Sequence, residues 1–319
     1  MTDIVVPARC LPLPAHVSDA ARTMLAAPPE MMPPDYPAGK DAATWRAHIA
    51  QVDAMLIAQM RPMMEGLPFE VEPDIVAGVP VFRAKPAGTA ANPANIFMDM
   101  HGGALAYLGG EGCAMMAGFM ALRTGMTVIS VDYRMPPDHP YPAGLDDCVA
   151  VYASLLATRE SRTIAIGGSS AGGNLAAATI LKARDTGLPL PACAVLLSPE
   201  IDLTEGGDSF VTNLGIDPVL CTRLTILNAL YADGAPLDDP YLSPLFADFT
   251  KGFPRSFIQT GTRDLFLSNA VNIHRALRRA GVEAELHVFE AMPHGGFFGA
   301  PEDQEVALEV QAFLRRCLP

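Results

Sequence analysis

The feature that most constrains the fold is a repeated alternation, from about residue 68 onward, of short apolar strand-like runs with helical stretches. Phe69–Val76 and Val79–Ala84 read as an antiparallel hairpin around Gly78. Further runs follow at Asn95–Met100, Met126–Tyr133, Thr163–Gly167, Cys193–Leu197, Ser256–Thr260 and Glu285–Phe289. Helical patterns lie between them at Gly112–Arg123, Leu145–Leu156, Gly172–Arg184 and Ser268–Ala280, with a last one at Glu302–Arg316. Continuous apolar strands separated by helices predict an α/β fold, a mostly parallel sheet flanked by helices on both faces.

Two stretches break the rhythm. In the first 65 residues Trp45, Ile49, Val52, Met55, Leu56, Met60 and Met63 recur at spacings of three or four, which gives one apolar helical face. Pro62 is expected to end or kink that helix. Methionine-rich stripes pack well and also adapt to irregular ligands, so this face suits both a packing role and a pocket wall. Residues 204–235 interrupt two strands with an extra helix around Pro218–Tyr231. The expected organisation is therefore a catalytic domain from 66–203 and 236–319, with 1–65 and 204–235 folding together as a helical cap.

Bulk properties remove several function classes. The formal charge of −13 repels phosphate backbones and anionic lipid heads, so no nucleic acid and no membrane surface is expected as a partner. Cys10, Cys113, Cys148, Cys193, Cys221 and Cys317 are scattered without a C-x-x-C pair, which suits reduced and mostly buried thiols. Met1-Thr2-Asp3-Ile4 lacks the basic-then-apolar pattern of a secretory signal, and a cytoplasmic location is the expectation.

The chemistry centres on Gly168-Ser169-Ser170-Ala171-Gly172, a G-x-S-x-G directly after an apolar run and directly before a helical one. A strand that turns this tightly into a helix needs small flanking residues and presents the serine hydroxyl from a strained backbone. The helix N-terminus and the Ala171 N–H then point at charge developing on a carbonyl oxygen. Met100-His101-Gly102-Gly103-Ala104 ends an earlier strand, and such a turn lets backbone N–H groups approach an oxyanion. His101 stands before the glycines and reads as a brace for the turn. No second histidine or carboxylate stands near it at a ligand spacing, so no metal is expected.

Acyl transfer from a serine also needs a neutral imidazole held by a carboxylate. Gln259-Thr260-Gly261-Thr262-Arg263-Asp264 and Ala291-Met292-Pro293-His294-Gly295 both follow strands, and the order Ser170, Asp264, His294 is that of an α/β hydrolase. Asp202, after a different strand, is the rival acid. His16, His48, His139, His274 and His287 lie in the N-terminal segment, a proline-rich loop, a helix and a strand, and suit the base role less well.

Taken together, these motifs resemble the bacterial hormone-sensitive lipase-like carboxylesterases of the α/β-hydrolase superfamily, from about residue 70 to the end. Asp132-Tyr133-Arg134 with Pro136, Pro137, His139, Pro140, Pro142 and Ala143 is similar to the family's proline-rich loop. Leu197-Ser198-Pro199 with Asp202-Leu203, and Tyr241-Leu242-Ser243-Pro244-Leu245, match as well. The resemblance implies an α/β-hydrolase fold with an eight-stranded sheet, a helical cap and no cofactor. It implies Ser170, Asp264 and His294 as the triad, and oxyanion donors at Gly103, Ala104 and Ala171 with Gly102 adjacent. The chain departs from the family pattern at Ala104, usually a third glycine, and at Ser169, often an aspartate.

The expected function is a serine carboxylesterase acting on small-molecule esters of short to medium acyl chain through an acyl-enzyme. Hydrolysis of lactones by the same triad is the nearer alternative. A non-catalytic receptor, as in the plant gibberellin receptors, is the more distant one, since those lack the histidine that His294 supplies here. The last strand, Glu285–Phe289, is placed at a sheet edge, where a second copy can pair to form a homodimer.

Overall fold

A computed structural model describes residue 8 and residues 10–26, 36–37, 39, 41–89 and 93–319. Met1–Ile4 and parts of the expected cap segment 1–65 lie outside the described residues. The elements run α1 (Asp19–Ala26), α2 (Ala42–Met64), β1 (Phe69–Val76), β2 (Val79–Pro86), β3 (Ile96–Met100), α3 (Glu111–Thr124) and β4 (Thr127–Val131). They continue as α4 (Ala143–Leu156), β5 (Ile164–Ser169), α5 (Ala171–Asp185), β6 (Cys193–Leu197), α6 (Ser209–Thr212) and α7 (Thr225–Ala232). The chain closes with β7 (Ser256–Gly261), α8 (Leu267–Arg279), β8 (Ala284–Phe289) and α9 (Pro301–Cys317).

The eight strands form one sheet in the order β1-β2-β4-β3-β5-β6-β7-β8. β1 pairs antiparallel with β2, and β2 antiparallel with β4; every other pairing is parallel. The expected α/β class and eight-stranded, mostly parallel sheet are what the structure has. Successive side chains on a strand face opposite sides, and each side finds its own helices. Met98, Ile129, Ile166, Leu196 and Ile258 pack with α4, α5 and α8, whereas Phe97, Val128, Ala165, Val195 and Phe257 pack with α3 and α9.

A third apolar cluster sits above the carboxyl ends of the strands. It joins Trp45 and Val52 of α2, the loop Ala104–Leu108, and Phe210, Leu220, Leu224 and Leu227 of the 204–235 segment with Leu265 and Phe266. Polar contacts tie it down: half-buried Asp53 on α2 accepts the Leu108 N–H at 2.7 Å. Arg46 on the same helix donates to Asp138 of the proline-rich loop at 3.0 Å.

Two boundary expectations are corrected. Pro62 does not stop α2 at the preceding residue: the helix carries the proline, which forfeits its own i→i−4 hydrogen bond, and ends two residues later at Met64. The helix expected around Pro218–Tyr231 starts only at Thr225. Asp217 draws the Val219 and Leu220 N–H groups into a turn, and Glu205 accepts from Leu224 N–H and the Thr225 hydroxyl where the helix begins.

Candidate active site

β5 delivers Ser170 into a sharp turn. Its φ of 58° and ψ of −123° put it outside the ordinary regions for a residue with a Cβ, and α5 starts at the next residue. Gly172 makes the turn possible, because a Cβ there would fall into the Met100 carbonyl of the neighbouring strand end. The Ser170 carbonyl accepts from Gly173, Asn174 and Glu200, so the strained residue is tied on its helix side. Strain of this kind persists only where the surroundings over-determine it.

The structure brings Ser170, His294 and Asp264 into one hydrogen-bonded chain. His294 Nε2 lies 2.9 Å from Ser170 Oγ, and His294 Nδ1 lies 3.1 Å from Asp264 Oδ1. Asp264 is fully buried; its Oδ1 also accepts the Phe266 N–H at 2.8 Å, and its Oδ2 accepts the Thr260 hydroxyl at 2.8 Å. Burial alone would raise its pKa, but the His294 charge and these hydrogen bonds outweigh burial and hold it below the usual carboxylate value. Burial likewise opposes charge on His294, yet Asp264, with Asp217 and Glu200 behind it, turns the balance and raises the imidazole pKa. Phe266 meets the imidazole edge to face at 4.8 Å and fixes its plane. Asp202 is not part of this chain; its carboxylate closes a local turn by accepting from Thr204 and Gly206.

The Gly102–Ala104 turn faces the nucleophile from β3. A Cβ on Gly102 would lie 3.6 Å from Ser170 Cβ. Gly103 has φ of +120° and carries the turn where a Cβ would collide with the Tyr107 carbonyl. Ala104 adopts a left-handed φ of 51°, so the alanine tolerates a conformation that glycine takes at lower cost. None of the hydrogen bonds among the described residues uses the N–H of Gly103, Ala104 or Ala171. His101 lies behind the turn: its ring stacks on Tyr133 at 4.2 Å, its Nδ1 lies 2.7 Å from the Gly102 carbonyl, and the Tyr133 hydroxyl donates to the His101 carbonyl at 2.9 Å.

Around His101 the fold assembles what sequence spacing did not show. Cys113 of α3 and Asp132 after β4 come together with it, their ligand atoms within 4.8 Å of one another. Asp132 is occupied in holding the Gly110 N–H at 2.9 Å, and Cys113 contacts Ser130 at 3.5 Å. The group therefore serves the turn in the first instance.

Two buried acids escaped the sequence reading. Asp217 Oδ2 accepts the N–H of His294 at 3.1 Å and of Leu265 at 3.0 Å, joining the two loops that carry the histidine and the acid. Glu200 is 1% exposed, and burial, then the Glu205 charge, push its carboxyl up to about 8 against the pull of His294. Neither stands in a motif, and only the fold brings them to the site.

Residues 97–298 match the family model described as alpha/beta hydrolase fold. An acetyl-hydrolase of Streptomyces hygroscopicus is 30% identical over 276 residues, covering 85% of this chain and 92% of that protein. An esterase of Acinetobacter venetianus is 32% identical over 229 residues, 70% of this chain and 73% of its own length. Among solved structures, one esterase is 36% identical with a TM-score of 0.91, covering 99% of both chains. Another, an esterase from the bacterial hormone-sensitive lipase family, is 30% identical with a TM-score of 0.79, covering 95% of this chain and 99% of the other. With the nucleophile-elbow geometry, the parallel sheet and these likenesses together, the chain belongs to the α/β-hydrolase fold family, among the carboxylic ester hydrolases of the bacterial hormone-sensitive lipase-like group.

Proposed function

We propose that the chain hydrolyses short- to medium-chain acyl esters by a two-step acyl transfer, with Ser170 as nucleophile, His294 as base and acid, and Asp264 orienting the imidazole. The observation that carries this reading is the continuous contact from Ser170 Oγ through the His294 ring to Asp264 Oδ1. His294 Nε2 takes the serine proton as Oγ attacks the carbonyl carbon. The N–H groups of Gly103, Ala104 and Ala171 receive the oxyanion. His294 then returns the proton to the leaving alkoxide, and water repeats the sequence on the acyl-enzyme to release the acid. The similarity to an acetyl-hydrolase agrees with a small acyl group.

The limit on chain length is read from the apolar cluster over the strand ends, whose Tyr107, Phe210, Leu220 and Phe266 would wall the acyl group. Each methylene buried there contributes about 0.8 kcal/mol until the walls are reached. On this reading the described parts of 1–65 and the 204–235 segment act as the cap. The test is a panel of p-nitrophenyl esters of rising length beside lactones, run with the wild type and Ser170→Ala. Turnover peaking at short or medium esters and falling by roughly 10⁴–10⁶ in the variant is expected; ester turnover surviving in Ser170→Ala refutes the assignment.

A further inference from the structure

Glu200 is a buried acid beside the nucleophile that neither gives nor takes a proton in the acyl transfer. Its N–H donates to the Ser170 carbonyl at 3.1 Å, and its own carbonyl accepts from Asn174 of α5 at 2.7 Å, so its backbone is fixed against the elbow. Its carboxyl is sealed from bulk solvent, yet neither oxygen has a hydrogen-bond partner. Two further polar atoms are stranded in the same way. Asn228 on α7 gives one of its two amide N–H groups to the Leu203 carbonyl and leaves Oδ1 unpaired, and the Tyr36 hydroxyl has no partner either. Glu200 is within electrostatic reach of both Tyr36 and His294, and the Asn228 side chain favours its charge.

Glu205 provides the contrast. It too is buried nearby, but its two oxygens are taken by the Leu224 N–H and the Thr225 hydroxyl, as a structural acid requires. Buried polar groups in proteins are almost always paired, so unpaired atoms on three separate segments, one of them fixed against the Ser170 elbow, call for a common partner. Substrate pockets are built in this way, mostly apolar with a few polar groups that fix orientation. A neutral carboxylic acid offers one donor and one acceptor, and Asn228 Oδ1 offers a second acceptor. That set suits a hydroxyl, oxo or amide group. With Glu205 and Asp217 close by, it repels a second carboxylate.

We propose that Glu200, with Asn228 and Tyr36 around it, forms a hydrogen-bonding subsite beside Ser170 that selects esters carrying a neutral polar group near the scissile bond over plain alkyl esters. The inference rests on Ser170 being the nucleophile and adds the substrate class to that reading.

The experiment compares kcat/KM for the full chain in two arms. One arm sets p-nitrophenyl butyrate against p-nitrophenyl 3-hydroxybutyrate, which places the polar group on the acyl side. The other sets ethyl butyrate against 2-hydroxyethyl butyrate, which places it on the alcohol side. Wild type is expected to favour the hydroxylated ester by roughly tenfold to hundredfold in one arm, the range expected when a buried polar group gains its partner. Glu200→Leu should erase that preference while gaining on the alkyl ester, and Glu200→Gln should keep most of it. Wild type without a preference in either arm, or Glu200→Leu retaining it, overturns the subsite. Labelling of Ser170 by a fluorophosphonate, read in parallel, separates the two levels. Loss of the label in wild type refutes the serine mechanism, whereas a labelled enzyme with no preference refutes only the subsite. A Glu200→Leu chain that fails to label is misfolded, and the wild-type and Glu200→Gln arms then decide.

Discussion

The Asp217 carboxylate accepts the backbone N–H of His294 at 3.1 Å, and the same oxygen accepts the N–H of Leu265, the residue after Asp264, at 3.0 Å. One side chain from the 204–235 segment thus sets the spacing between the histidine loop and the acid loop. Its other oxygen holds Val219 and Leu220, so all its hydrogen bonds are accepted ones. Asp217→Asn must turn an amide N–H toward one of these pairs. Each N–H left unpaired costs about 1–3 kcal/mol. We expect a lower unfolding midpoint, together with a kcat loss larger than any rise in KM, because the loops that carry the imidazole and its acid lose register. Urea unfolding beside steady-state kinetics checks this, and an unchanged kcat would show that Asp217 serves stability alone.

Asp264→Asn keeps the shape of the acid but changes which His294 nitrogen carries the proton. An amide turned to donate to Nδ1 leaves Nε2 protonated and unable to take the Ser170 proton. A fall in kcat of about 10⁴ is the expected size in triads of this kind. Fluorophosphonate labelling should slow in proportion, and thermal melting should show that the variant is folded.

The pH profile follows from the sign of the His294 shift. Only the neutral imidazole accepts a proton, and the balance of Asp264 attraction over burial raises its pKa above 6.5. Activity is therefore lost as pH falls through that raised pKa, so the acid limb of kcat/KM should lie above 6.5 and not below it. Removing the Asp264 charge takes away the attraction, and the residual activity of Asp264→Asn should show its limb displaced to lower pH. A rate profile across pH 5–9, roughly the range in which histidine titrates, measures both.

Ala104 sits at a φ of 51°, where a branched Cβ is costly. Ala104→Gly should keep activity within a few-fold, since glycine enters this region freely. Ala104→Val should misplace the N–H, with kcat falling by about 10²–10³, the usual effect of a lost oxyanion donor. Equal activity in the two variants would remove Ala104 from the oxyanion site.

Much of this protein is written locally. The runs at Ile96–Met100, Ile164–Ser169 and Cys193–Leu197 are apolar on both faces save for Asp99 and Ser169, so they require helices on both sides. The glycines around Ser170 are likewise legible, because the demand for small residues in a strand-to-helix turn is met within five positions. Ser170, Asp264 and His294 stand out because each follows a strand, and strand ends of a parallel sheet meet at one edge.

The tertiary structure alone decided the rest. Asp217, Glu200 and Asn228 look like ordinary polar residues in a loop, after a strand and on a helix, and nothing in their spacing marks them. Burial gives them their meaning: an acid that holds two loops, and a carboxyl and an amide oxygen left without hydrogen-bond partners. The same holds for Cys113 and Asp132 meeting His101, and for Pro62 riding inside a helix. Local patterns fix which elements form and where the reacting groups lie along the chain. The value of a buried charge or an unpaired hydrogen bond depends on neighbours that only the folded chain assembles.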